Sequence, residues 1–172
     1  MSMNTCLMIG KQAGVIGFLT TLASKNTISA VVAYDNDTEM MAKQWEIPTF
    51  KTINDKEFLD YLKKSDILIS IHGREIVSKE IIKIPKYGCI NVHPCLYKYK
   101  GKEPVKKMLE DGVTKASVGI HWMTEKIDSG DIIIEEFVDV NGLKNEIEIY
   151  NMLYPYYSSI LFKALELIQK KV

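Results

Sequence analysis

The chain has 172 residues, 47% of them hydrophobic, with only 5 prolines and 10 glycines, which suits one packed core rather than a disordered or modular chain. Its 22 basic residues offset 22 acidic ones, so no global field draws it toward nucleic acid or an anionic lipid surface. The longest apolar runs fall far short of the roughly 20 residues that cross a bilayer, and an odd set of cysteines (Cys6, Cys89, Cys95) behind a start with no basic leader points to a reducing cytoplasm.

In chain order, TCLMIG at 5–10 reads as the first buried strand. KQAGVIG at 11–17 then turns into a helix. Its glycines (Gly10, Gly14, Gly17) miss the G-x-G-x-x-G spacing that lays backbone against a pyrophosphate, so an ordinary strand-to-helix turn is expected, with the helix N-terminus open as an anion seat. ISAVVAY at 28–34 and the short IPTF at 47–50 supply two more strands. TINDKEFLDYLKKSD at 52–66 predicts a helix that Asn54 caps, Glu57 closing the box and Ile53 packing onto Phe58. DILISI at 66–71, GCINV at 88–92, SVGIHWM at 117–123 and DIIIEEFVDV at 131–140 complete the strands. Runs bounded by Gly, Asn and Asp in this way suit a sheet covered on both faces.

Strand alternating with helix over residues 4–92 predicts an α/β fold, a single doubly wound and mostly parallel sheet with helices on both faces. Its ligand crevice lies beyond the carboxyl ends of the strands. The last segment opens at Asn145, capped with Glu148, and Tyr150, Leu153, Tyr154, Tyr157, Ile160, Leu161, Ala164, Leu165 and Ile168 keep helical spacing. Pro155 inside it predicts a kink or two helices in sequence. No repeat or linker interrupts the chain, so residues 1–172 are expected to form a single domain.

The chemistry-bearing residues gather at strand ends. His72, Gly73, Arg74 and Glu75 follow a buried strand, where a loop either offers backbone donors and acceptors to a planar heterocycle or is simply a solvated turn. Asn91 and His93 stand two apart at the end of another, so both side chains share a face, and Pro94 holds His93 extended. An amide donor and a titrating imidazole then meet at one spot, although a satisfied polar pair closing the strand has the same pattern. Asp128, with Asp131 close behind it, falls in a loop between two apolar runs, where a carboxylate can hydrogen-bond an imidazole and favour its cationic form. His121 begins that stretch and is expected as a core or supporting residue. No spacing among His72, His93, His121, Cys95 and Asp128 matches a metal-ligand motif, so no metal is expected. Lys98, Lys100 and Lys102 interleave with tyrosines, and at zero net charge a phosphate-bearing small substrate suits them better than nucleic acid.

NVHPCLYKYKG at 91–101 with EPV at 103–105, followed by HWMTEKIDSGDII at 121–133, resembles the folate-dependent formyltransferases, whose pattern is Asn-x-His-Pro-Ser-Leu-Leu-Pro-x-x-Arg-Gly and then His-x6-Asp-x-Gly. The family includes enzymes acting on glycinamide ribonucleotide, on methionyl-tRNA and on amino sugars of nucleotide sugars. The resemblance implies a formyltransferase-type doubly wound sheet, 10-formyltetrahydrofolate as co-substrate, and a catalytic trio of Asn91, His93 and Asp128. It implies co-substrate contacts at His72, Gly73, Arg74, Glu75, Ile76 and Ile127, and acceptor contacts at Cys95, Tyr97, Lys100 and Gly101. Cys95 replaces the family's Ser, Tyr97 and Lys98 stand at Leu-Pro, and Lys100 replaces Arg, exchanging a bidentate fork for a point charge. The first turn lacks the Gly-Ser-Asn phosphate cradle of the glycinamide ribonucleotide enzymes, and a C-terminal domain like that of the tRNA-acting ones is not expected. The implied reaction is therefore N-formylation of a primary amine, foremost an amino sugar on a nucleotide carrier. The alternatives are glycinamide ribonucleotide as acceptor, or a protein that binds or hydrolyses 10-formyltetrahydrofolate without an amine. A cytoplasmic setting follows, with no nucleic-acid or membrane partner, and a homodimer is allowed.

Overall fold

The computed structural model describes residues 2–171. The elements run β1 (Asn4–Ile9), α1 (Lys11–Ala23), β2 (Thr27–Ala33), α2 (Asn36–Gln44), β3 (Thr49–Phe50), α3 (Lys56–Leu62) and β4 (Ile67–Ile71), then α4 (Lys79–Ile82), β5 (Cys89–Pro94), α5 (Pro104–Glu110), β6 (Lys115–Trp122), β7 (Ile132–Asp139) and α6 (Glu146–Lys171). All seven strands join one sheet in the order β3-β2-β1-β4-β5-β6-β7. Pairs from β3 to β5 are parallel, while β6 and β7 run antiparallel to their neighbours.

Strand alternation sends successive side chains into two cores. Leu7, Ile9, Val31, Ala33, Ile69, Ile71, Ile90 and Val92 pack with Phe18 of α1 and the buried stripe of α6. Cys6, Met8, Ala30, Val32, Leu68 and Cys89 pack on the opposite face with Phe58 and Leu62 of α3 and Ile81 of α4. This second core stops at Cys89. The next same-face positions of β5 are Asn91 and His93, which pair in register with His121 and Gly119 of β6. A polar patch therefore begins where the apolar cover ends, and the β6–β7 loop lies over it.

Helix α3 starts one residue later than the sequence suggests. Asp55, not Asn54, is its cap, accepting from the N–H groups of Glu57 (2.8 Å) and Phe58 (3.3 Å), while the Asn54 N–H donates to Thr52 Oγ1 at 3.2 Å. Ile53 and Phe58 are buried in one cluster. Asn145 caps α6 as expected, accepting from the Glu148 N–H at 2.9 Å, but the Glu148 carboxylate accepts from the Lys144 N–H at 2.7 Å rather than closing on Asn145. Pro155 does not split α6, which is one helix of 26 residues. A proline inside a helix costs about 3 kcal/mol. The ring is exposed, and the same helix buries Ile149, Leu153, Tyr157, Ile160, Leu161, Leu165 and Ile168, each contributing about 1.5–3 kcal/mol. The stripe outweighs the missing hydrogen bond.

Candidate active site

Among the described residues, four of the seven non-glycine residues with left-handed backbone lie beyond the carboxyl ends of the strands or in the loop after β6. Lys11 (φ 57°), His72 (φ 54°) and Cys95 (φ 53°) follow the carboxyl ends of β1, β4 and β5, and Asp128 (φ 49°) lies in the loop after β6. Non-glycine residues hold such angles only where their surroundings dictate it, and they concentrate at functional sites.

Four side chains converge there. His93 Nε2 lies 3.0 Å from Asp128 Oδ2. Asn91 Nδ2 donates to Asp128 Oδ1 at 3.4 Å, and His121 Nε2 stands 3.3 Å from the same oxygen. The Gly101 N–H donates to Asp128 Oδ2 at 2.7 Å. Burial by itself would raise the Asp128 carboxyl, but hydrogen bonds from His121 and His93, the His93 charge and the Gly101 N–H together hold it well below the ordinary 3.8. His93 Nδ1 lies 2.7 Å from the Pro94 carbonyl, and its Nε2 faces the Gly101 carbonyl (3.2 Å) besides Asp128. All three are acceptors, so the ring nitrogens can meet them as donors. His121 Nδ1 likewise meets the Trp122 carbonyl at 2.9 Å. Gly130 lets the loop close, because a Cβ there would lie 1.8 Å from the Trp122 oxygen. The cluster is sealed, His93 being 7% exposed and the Asp128 side chain 7%. Chemically it offers an amide donor, an imidazole and a carboxylate around one point, the set needed to stabilise an oxyanion and move a proton.

The other sequence candidates divide. Gly73, Arg74, Glu75 and Ile76 form the loop after β4, and Ile76 (75% exposed) and Ile127 (56% exposed) stand out on two loops that a Lys79–Glu125 ion pair links. His72 turns its ring away, its Nε2 lying 2.7 Å from the Tyr157 hydroxyl, and burial pushes the imidazole down to about 4. Glu75 likewise offers no free carboxylate, since Tyr34, Thr52 and Ile53 all donate to it. Cys95 is fully buried, its thiol against Met108 Sδ at 3.5 Å, so an acceptor contact through sulfur has no exposed atom to use. Tyr97 points toward β6 and β7, its hydroxyl donating to the Lys115 carbonyl at 2.5 Å and its ring 5.3 Å from that of Phe137. Lys100 is exposed, and Gly101 (φ 77°) enters the cluster through its backbone. The anion seat at α1 is taken by the Asp35 carboxylate, which accepts from the Lys11 N–H at 2.6 Å. Asp131 is exposed and meets β6 only through its backbone carbonyl, bonded to the Trp122 N–H. His121 belongs to the cluster more directly than its sequence context suggested, because β6 pairs antiparallel with β5 and sets it opposite Asn91, a register the sequence does not show. A depression of about 330 Å³ bounded by Thr114, Lys115, Phe137 and Asp139 touches none of these residues.

The family model described as Formyl transferase matches residues 4–165. A methionyl-tRNA formyltransferase of Fusobacterium nucleatum is 26% identical over 166 residues, 94% of this chain and 54% of that protein. The bifunctional polymyxin resistance protein ArnA of Wigglesworthia glossinidia brevipalpis is 37% identical over 130 residues, 73% of this chain and 20% of that protein. This chain thus spans about half the length of the first relative and a fifth of the second. The crystal structure of phosphoribosylglycinamide formyltransferase from Anaplasma phagocytophilum has the same fold, with a TM-score of 0.86 at 19% identity over 99% of this chain and 89% of that one. Matched by one family model along nearly its whole length, the chain belongs to the formyl transferase family.

Proposed function

We propose that this protein transfers a formyl group from 10-formyltetrahydrofolate to a primary amine, with Asn91, His93 and Asp128 as the catalytic residues. The observation that carries the reading is the meeting of Asn91 and His93 on the two oxygens of Asp128. The amine lone pair attacks the formyl carbon, and the carbonyl electrons move to oxygen. N–H groups of Asn91 and His93 stabilise that oxyanion. The ammonium then loses its proton, N10 of the folate gains one, the carbon–N10 bond breaks, and N-formyl amine and tetrahydrofolate leave. Asp128 keeps the imidazole oriented and charge-balanced through this proton traffic. The Gly101 carbonyl, 3.2 Å from His93 Nε2, stands in the acceptor position that the formyl oxygen takes, so the loop at 95–103 shifts as the donor binds.

The favoured acceptor is an amino sugar on a nucleotide carrier. Exposed Lys100 and Lys102 flank Gly101, beside the cluster, and can meet a phosphate-bearing acceptor there. Asp35, the cap of α2, lays its carboxylate on the Lys11 N–H at the start of α1 and repels a phosphate from that other seat, which disfavours glycinamide ribonucleotide. Incubation with 10-formyltetrahydrofolate and a panel of amines tests this directly. N-formyl product is expected with nucleotide amino sugars. Product with the ribonucleotide alone would move the acceptor, and formate alone would replace transfer by hydrolysis.

A further inference from the structure

We infer that Glu75 is a positioning residue for the formyl donor, its carboxylate tying residues 72–77 into a preformed wall of the donor pocket. The inference rests on the formyl-transfer reading above. Glu75 Oε2 accepts from the Tyr34 hydroxyl (2.7 Å) and the Ile53 N–H (3.1 Å), and Oε1 accepts from the Thr52 hydroxyl (2.5 Å). Those donors come from the connections that follow β2 and β3, while Glu75 follows β4. One side chain therefore joins the ends of β2 and β3 to that of β4, across β1. Both oxygens accept as the groups stand, and a glutamine there would keep the set only if the Thr52 hydroxyl turned from donor to acceptor. Burial first, then the hydrogen bond to Glu75 and after it the Glu75 charge, push the Tyr34 hydroxyl up, which keeps it a donor.

With Glu75 turned inward, the side chains on either side of it, Arg74 and Ile76, are exposed. The start of the loop is fixed separately, by the His72–Tyr157 contact at 2.7 Å and by Gly73, where a Cβ would come within 2.7 Å of Ser70 Oγ. A strand-end loop without such ties is mobile, and ordering it on binding weakens affinity. Glu75 makes none of the hydrogen bonds of Asn91, His93 or Asp128. Its loss should therefore appear in donor binding and leave the chemical step alone.

The full chain is compared with Glu75→Gln, Tyr34→Phe and Thr52→Ala. Dissociation of 5-formyltetrahydrofolate, which does not transfer its formyl group, is measured by calorimetry, and kcat and KM are measured with 10-formyltetrahydrofolate and the accepted amine. Glu75→Gln is expected to raise both the dissociation constant and the donor KM by about 10-fold, with kcat and the amine KM within about twofold of wild type. Tyr34→Phe and Thr52→Ala each remove one donor and should weaken donor binding by about threefold. They should also speed tryptic cleavage after Arg74, with the residue following the cut unchanged. If wild type binds folate and a folded Glu75→Gln binds it equally well, the inference is overturned while the transfer reading stands. Should Glu75→Gln not fold, unchanged binding and cleavage in the other two variants overturn it instead. A wild type that binds no folate removes the reading and the inference together.

Discussion

Asp128 holds a left-handed backbone angle and collects hydrogen bonds from two histidines, an amide and a main-chain N–H, so its side chain is placed by its partners rather than by local preference. His93→Ala and Asp128→Ala should each lower kcat by at least about 100-fold, with far-UV circular dichroism unchanged; full activity in either variant would remove the catalytic assignment. A carboxyl whose folded pKa is depressed stabilises the fold above its unfolded value, and that contribution is lost as pH falls toward the folded one. Between about pH 5 and pH 3 the wild-type Tm should therefore drop more steeply than that of Asp128→Asn, and parallel slopes in thermal melts would contradict this. Cys6, Cys89 and Cys95 are buried, with thiols pushed by desolvation up to about 12, 12 and 11. Iodoacetamide at neutral pH should leave them unmodified by mass spectrometry and activity intact, until the protein is unfolded. Asn91 and His93 were legible as a pair because a strand has a period of two. The inward turns of His72, Glu75 and Cys95 were not, because the backbone reverses at His72 (φ 54°) and Cys95 (φ 53°), and sequence does not show where a loop will find its donors.

Elements were legible where apolar runs were long or ended in punctuation. The seven runs all became strands, and Asn145 capped α6 as its spacing suggested. The reversed direction of β6 was not legible, since KASVGIHW at 115–122 has the same composition whichever way it enters the sheet. Asp55 rather than Asn54 caps α3, because its carboxylate is the one that reaches the N–H groups of Glu57 and Phe58. At Pro155 the sequence rule was local and the answer was tertiary, a continuous helix held by its buried stripe. That helix should therefore tolerate, and gain from, removal of the ring. Pro155→Ala restores a main-chain donor at an exposed position and should stabilise by on the order of 2 kcal/mol, raising Tm by about 4–8 °C. A lower Tm in differential scanning calorimetry would mean that the ring sets a bend the core depends on.

At the scale of the molecule, the sheet divides the work between its faces. One face is apolar from β2 to β6, while the other changes at β5 from Cys89 to Asn91 and His93, placing the site where cover by α3 and α4 ends. The crossover from parallel to antiparallel pairing at this same strand lets β6 bring His121 alongside Asn91 and lets the following loop deliver Asp128. Charge follows a different logic. Equal numbers of acidic and basic residues leave no long-range attraction for a polyanion, so any preference for a phosphate-bearing acceptor has to come from close contacts such as Lys100 and Lys102. A nucleic acid held through six to ten phosphate contacts loses about 10³–10⁵ in affinity between 50 and 200 mM salt. A small acceptor meeting one or two lysines releases few counterions, and its KM should rise by less than about tenfold over that range. Initial rates with the accepted amine at the two salt concentrations decide it, because a collapse of several orders of magnitude would require an extended phosphate backbone on a surface whose net charge gives it no attraction.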